Sequence, residues 1–275
     1  MKKILIALLT FTFFTKMNGQ SIDKQRLLHA KKSVVRILID DKPSGTGFVV
    51  SKSGQIITCW HVIQPAITVD ETTKQIHLKK ITAEFISGEK IELGIYTYLF
   101  EAGYRDALIY DYCFLEPSIK TAVSYDFLKL GKFENVNEGE QVYSVGYPLG
   151  IEQQFVSTGI LSTKWTDKIK LQDNTEMNRE VSWLDLTMNK GNSGGPILKI
   201  GSTEDEVIGI ATFILNPYAN TSQQLSNLSA NLGVDIAFGG ISQVKVNKLF
   251  ADAVTNNSIG ISGCVSINHI NSVLK

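Results

Sequence analysis

The chain has 275 residues, 43% hydrophobic and 20% charged, enough to bury a sizeable core, which excludes intrinsic disorder and low-complexity scaffolding. Lys plus Arg and Asp plus Glu both total 27, and this balance gives no general case for nucleic-acid binding, which depends on clustered positive charge. Cys59, Cys113 and Cys264 cannot all pair within one monomer, so a disulfide-stapled miniature fold is excluded too.

Met1-Lys2-Lys3 precedes an apolar run of 11 residues, Ile4 to Phe14, before Thr15-Lys16-Met17-Asn18-Gly19-Gln20 turns polar. This is the layout of a secretory signal peptide (1–19), with cleavage expected after Gly19. A spanning helix needs roughly 20 apolar residues, so no stable membrane span is expected and the mature chain is read as exported, periplasmic or secreted. Losing residues 1–19 removes Lys2, Lys3 and Lys16 and no acids, giving a mature charge of −3.

Ile22 to Lys32 has the pattern of a short amphipathic helix. Short runs rich in β-branched and aromatic residues follow: Val34–Ile39, Gly47–Ser51, Gln55–Thr58, Lys80–Ile86, Lys90–Tyr98, Tyr112–Leu115, Gln141–Gly146, Val156–Ser162, Ile197–Ile200, Val207–Phe213 and Val234–Phe238. Without βα alternation, they predict an all-β sandwich or barrel. The polar stretch Lys132–Glu140 divides them into two halves, 20–131 and 132–255. Ser242–Thr255 has the spacing of a closing helix, and 256–275 reads as a tail.

The most informative segment is Asn189-Lys190-Gly191-Asn192-Ser193-Gly194-Gly195-Pro196-Ile197. A nucleophilic serine needs a turn that exposes its hydroxyl and aims nearby N–H groups at a developing oxyanion, and glycines permit such a turn. It also needs a base. Of His29, His61, His77 and His269, His61 stands out, because it ends a second strand after Ser44-Gly45-Thr46-Gly47-Phe48 and Gln55-Ile56-Ile57-Thr58-Cys59-Trp60. The other three histidines are read as surface or structural residues.

In their order, Gly-x-Gly-Phe, Thr-x-x-His and Gly-Asn-Ser-Gly-Gly-Pro, these motifs resemble the trypsin-like, chymotrypsin-fold serine proteases, and within them the HtrA/Deg peptidase domain. Gly146-Tyr147-Pro148-Leu149-Gly150, Val156–Ser162, Asp185, Gly209-Ile210 and Val234–Phe238 extend the resemblance over roughly residues 32–250. It implies two six-stranded antiparallel β-barrels with a short C-terminal helix, and a triad of Ser193, His61 and an acid. Asp111, before Tyr112-Cys113-Phe114-Leu115, is the preferred acid; Asp106 is the competitor and fits a supporting place. Gly191 and Ser193 amides would form the oxyanion hole.

The same matching places Thr187 near the base of the specificity pocket, with Ile210, Ala211 and Thr212 along one wall. No acid stands where cleavage after Lys or Arg would need it, and Ala211 replaces the histidine of glutamyl endopeptidases, so small or medium apolar residues are expected. Only 20 residues follow Thr255, so the appended PDZ domain of many HtrA proteins is not expected. Asn216–Asn231 reads either as an access-shaping loop or as a solvated connection. Cys59 and Cys113 lie near enough in the matched positions to pair, although buried free thiols are preferred. No zinc spacing or phosphate loop is present, so no metal or cofactor is expected. The expected partner is a polypeptide substrate. A binding module on a protease fold and a narrow processing protease for one partner are the competing functions.

Overall fold

The computed structural model describes residues 22–70, 72–73, 75–96, 109–120, 122–170, 174–214, 237–238, 241–242, 244–245 and 260–273. The expected leader, Asp106, Asn216–Asn231 and most of the expected closing helix at Ser242–Thr255 lie outside them. Helices are α1 (Lys24–Ser33), α2 (Trp60–Ile63) and α3 (Asn268–Val273). Strands in the first half are β1 (Val34–Ile39), β2 (Lys42–Val49), β3 (Ile56–Thr58), β4 (Ile67–Val69), β5 (Ile76–Leu78), β6 (Ile81–Glu84), β7 (Lys90–Ile95) and β8 (Cys113–Pro117). The remainder are β9 (Lys129–Leu130), β10 (Gln141–Gly146), β11 (Phe155–Lys170), β12 (Glu176–Asp185), β13 (Pro196–Lys199), β14 (Glu206–Ile214), β15 (Ala237–Phe238), β16 (Ile241–Ser242) and β17 (Ile261–Ser266).

The Asp23 carboxylate starts α1 by accepting from the N–H groups of Gln25 and Arg26, both at 3.0 Å, satisfying donors that a helix start leaves unpaired. The helix then delivers the chain into β1, whose six residues are all buried. The first barrel closes in the order β1-β2-β3-β8-β7-β6, entirely antiparallel. Closure leaves no edge strand open to pairing with another chain. In register, Thr58 lies opposite Cys113, which brings the residues just beyond β3 and just before β8 to the same rim.

The second barrel runs β13-β10-β11-β12-β17-β14 and closes through β13 against β14, with short β9 added in parallel to β14. The expected pair of six-stranded barrels is present. Two of its strands were not among the expected runs. Residues 256–275, read as a tail, supply β17, which lies between β12 and β14 and is essentially buried, followed by α3. Its small residues hid it: a Cβ at Gly263 would collide with the Phe213 ring, so this strand must be slim where that ring lies over it. Strand β12 was obscured by its charges, which pair across the ribbon instead, Lys170 opposite Glu176 and Asp167 opposite Arg179.

One apolar cluster runs through both barrels, from Val34, Ile37, Phe48 and Ile57 to Tyr143, Val145, Leu198 and Val207. Burying each such side chain contributes about 1.5–3 kcal/mol, so the junction between the barrels is packed as core. A polar tether crosses it as well. Arg26 on α1 donates to Gly201 O (2.6 Å) and Asp205 Oδ1 (2.7 Å), while Tyr143 Oη donates to Asp205 Oδ2 at 2.8 Å. Among the described residues no helix is long and apolar enough to cross a membrane.

Candidate active site

His61 sits in α2, the single turn that follows β3 through extended Cys59. Asp111 sits just before β8, in a left-handed conformation with φ 48°. Because β3 and β8 are hydrogen-bonded neighbours, these two positions meet. Asp111 Oδ1 accepts from the His61 backbone N–H at 3.0 Å, and Oδ2 lies 2.7 Å from His61 Nδ1. A carboxylate only accepts, so in the neutral ring Nδ1 carries the proton and Nε2 keeps its lone pair. The His61 side chain is 43% exposed while Asp111 is 17% exposed, a sheltered acid behind an accessible ring.

Ser193 belongs to the other barrel, on the turn before β13, and is half-buried. Its carbonyl accepts from Thr46 N–H at 2.9 Å. The Thr46 hydroxyl donates to Gly191 O (2.6 Å) and accepts from Tyr147 N–H (3.1 Å), so one β2 side chain ties the serine turn and the loop after β10 to the first barrel. Gly45 completes the approach: a Cβ there would lie 2.6 Å from Val62 and 3.0 Å from the Ser193 carbonyl oxygen. The histidine turn and the serine turn thus flank the same glycine. A side chain at Gly194 would strike Thr46 O and Thr58 Oγ1.

The serine turn uses most of its own amides. Asn192 N–H donates to Asn189 O (3.0 Å), Gly194 N–H to Ala211 O (2.8 Å) and Gly195 N–H to Asn192 O (2.9 Å). Among the described residues neither Gly191 N–H nor Ser193 N–H has an acceptor. The Lys190 carbonyl accepts from Leu149 N–H at 2.5 Å, and a trans peptide points its N–H opposite its carbonyl, so the Gly191 amide faces away from that loop. Gly191 adopts φ 98°, a conformation open to glycine but strained for other residues. An open cleft of about 370 Å³ borders it, between Pro43–Gly45 and Leu149–Gly150.

Thr187 is exposed and Thr212 half-buried, while Ile210 and Ala211 are each 1% exposed, with their side chains in the core. Ala211 instead meets the serine turn through its backbone, accepting from Gly194 N–H and donating to Gly195 O. All three cysteines are free and buried. Cys59 Sγ donates to Ala211 O at 3.3 Å; burial first, then the charge of Asp111, raise its thiol well above the ordinary value.

Two contributors had no role legible in the sequence. Thr46 was legible only as part of a Gly-x-Gly-Phe strand, although its hydroxyl joins the barrels. Tyr110, next to Asp111, donates from its hydroxyl to Asn178 O at 3.0 Å, and its ring stacks on His269 of α3 at 3.7 Å and 12°. The acid is held partly by the second barrel and the C-terminal helix.

Two closed barrels meeting at a histidine–carboxylate pair and a glycine-rich serine turn are the architecture of chymotrypsin-fold peptidases. A trypsin-like peptidase domain profile matches residues 45–210, more than half of the chain and inclusive of His61, Asp111 and Ser193. The chain belongs to the trypsin-like peptidase family. Among its curated relatives, a probable periplasmic serine endoprotease DegP-like of Chlamydia trachomatis is 24% identical over 258 residues, covering 91% of this chain and 41% of that protein. Serine protease HTRA3 of Rattus norvegicus is 30% identical over 171 residues, 62% of this chain and 32% of that one. A solved structure, HtrA-type protease AlgW with decapeptide, shares the fold with a TM-score of 0.56 at 15% identity, over 90% of this chain and 65% of that one. The chain spans about two fifths of the length of the DegP-like relative.

Proposed function

We propose that the protein is an exported serine endopeptidase that hydrolyses peptide bonds in unfolded or flexible polypeptides. The observation that carries this reading is the Asp111–His61 bond at 2.7 Å, which frees Nε2 to act as a base, beside a serine turn with two uncommitted amides. In this reading Ser193 Oγ attacks the scissile carbonyl as His61 Nε2 takes its proton, and the same nitrogen then gives that proton to the departing amine. Asp111 fixes the tautomer and stabilises the imidazolium. The Gly191 and Ser193 N–H groups receive the oxyanion, each such donor typically supplying about 3 kcal/mol of transition-state stabilisation. Water then releases the acyl group by the same steps in reverse roles.

Thr187, Thr212 and the Ile210–Ala211 backbone would line the primary specificity pocket, and Thr187, standing six residues before Ser193 where cleavage after a basic residue would need a carboxylate, suits small or medium apolar ones. The cleft beside Gly191 would take the leaving-group side of the substrate. Export is supported by the Lys-rich, apolar N-terminus and by the periplasmic designation of the DegP-like relative. The test is degradation of an unfolded protein by the purified chain, with mapping of the new termini. Cleavage after apolar residues that disappears in His61→Ala and Ser193→Ala is expected; equal cleavage by those variants, or none by wild type, rejects the reading.

A further inference from the structure

Beneath the imidazole of His61 lies a side chain for which peptide hydrolysis has no use. Cys59 Sγ, a ring nitrogen of His61 and an Asp111 carboxylate oxygen all lie within 4.8 Å of one another, and Nδ1 is the nitrogen that faces Asp111. A thiol, an imidazole and a carboxylate around one point are a donor set for a borderline-soft divalent ion. Tetrahedral zinc holds sulfur at about 2.3 Å and nitrogen or oxygen at about 2.0–2.2 Å, which sets its ligands roughly 3.3–3.7 Å apart, so His61 Nδ1 and Asp111 Oδ2, now 2.7 Å apart, part slightly while Cys59 Sγ closes in. Charge also matches: thiolate plus carboxylate cancel the two charges of the ion, as a site with a fully buried sulfur requires. Three protein ligands leave the fourth position of a tetrahedral ion to water.

We propose that Cys59, His61 and Asp111 form an inhibitory Zn²⁺ site at the base of the catalytic centre. On binding, the Cys59 S–H bond breaks, the S–Zn bond forms and the thiol proton passes to solvent. The His61 proton moves through solvent from Nδ1 to Nε2, so that Nδ1 can ligate while the ring stays neutral. Asp111 Oδ2 exchanges its bond to Nδ1 for the metal, while Oδ1 keeps its bond to the His61 backbone N–H. One proton is released per ion. Nε2 now carries hydrogen and has no lone pair for the Ser193 hydroxyl, so the general base is lost without displacement of the serine. The inhibition rests on the triad reading above; the metal binding does not.

Co²⁺ titration of the reduced full chain is the direct probe, because a tetrahedral cobalt–thiolate site gives a near-ultraviolet charge-transfer band and visible bands. These bands should appear in wild type, vanish on addition of Zn²⁺, persist in Ser193→Ala, and be lost in Cys59→Ser and Asp111→Asn, with far-ultraviolet circular dichroism confirming that the variants are folded. Absence of a thiolate band in wild type, or its persistence in folded Cys59→Ser, overturns the proposal. In the peptidase assay, Zn²⁺ should inhibit wild type reversibly to chelation, and roughly tenfold or more weakly in Cys59→Ser, since losing even an indirect supporter of a metal ligand costs about that much. A cobalt band on a chain without peptidase activity would sink the catalytic reading and leave the site standing; activity without a band would do the reverse.

Discussion

Arg179 of the second barrel donates from Nη1 to the carbonyl oxygen of Ile109, 2.9 Å away and two residues before Asp111 in the first. Its Nη2 bonds Asp167 Oδ2 at 2.9 Å, directly across the β11–β12 ribbon. The long ribbon therefore acts as a strut that reaches back to the turn carrying the candidate acid, where the backbone is already left-handed at Asp111. Arg179→Met should lower kcat roughly tenfold with little change in KM, because sub-ångström misplacement of a catalytic group is costly while the substrate cleft is untouched. Steady-state kinetics check this, and an unchanged kcat would reduce Arg179 to a surface contact.

Thr46 links the two barrels at the serine turn, donating to Gly191 O and accepting from Tyr147 N–H. Thr46→Val keeps the shape and removes both bonds, which should cost about 1–3 kcal/mol of stability and lower kcat as well. Thr46→Ser should restore most of both. Chemical denaturation and kinetics on the two variants separate hydroxyl from methyl.

Gly191→Ala should leave binding largely intact and lower kcat by roughly two to three orders of magnitude. The new Cβ would run into Tyr147 O, and φ 98° is strained for alanine, so the peptide must turn and its amide leave the oxyanion position. The check is kcat and KM with a peptide substrate, together with a crystal structure of the variant.

Alkali should destabilise the fold before it reaches the amines. Burial pushes the Cys264 thiol from 9.0 up to about 12 and raises Cys113 by the same cause. Between those values the unfolded chain ionises its thiols while the folded chain keeps them protonated. The folded state then binds more protons, so stability is complete below about pH 9 and falls as pH rises towards 12. Urea midpoints should drop between about pH 8 and about pH 10.5, and drop less in Cys264→Ala.

Much of this was legible in the sequence, for physical reasons that vary along the chain. Val34–Ile39 and Gln141–Gly146 were recovered with their boundaries because dense β-branched and aromatic residues announce buried strands. Gly191–Pro196 was legible because its conformation is dictated locally by glycine. Strand β17 was not, because Ser262, Gly263 and Ser266 have low strand preference, and Gly263 is bare to fit beneath Phe213, a demand set by a residue about fifty positions earlier. The contacts of Arg179 and Tyr110 were equally hidden, since they depend on how far the β11–β12 ribbon extends. Side chains of Ile210 and Ala211, expected along the specificity wall, lie in the core, so that this segment faces the site with its backbone. What sequence could not convey was the set of tertiary struts that hold His61, Asp111 and the serine turn together.

Covalent labelling shows whether Ser193 is a nucleophile activated by His61. A fluorophosphonate should modify the folded chain once, with the adduct located on Ser193 by mass spectrometry, and labelling should be abolished in Ser193→Ala and strongly slowed in His61→Ala. Failure of the folded wild-type chain to react, or an adduct on another residue, would exclude Ser193 as the nucleophile.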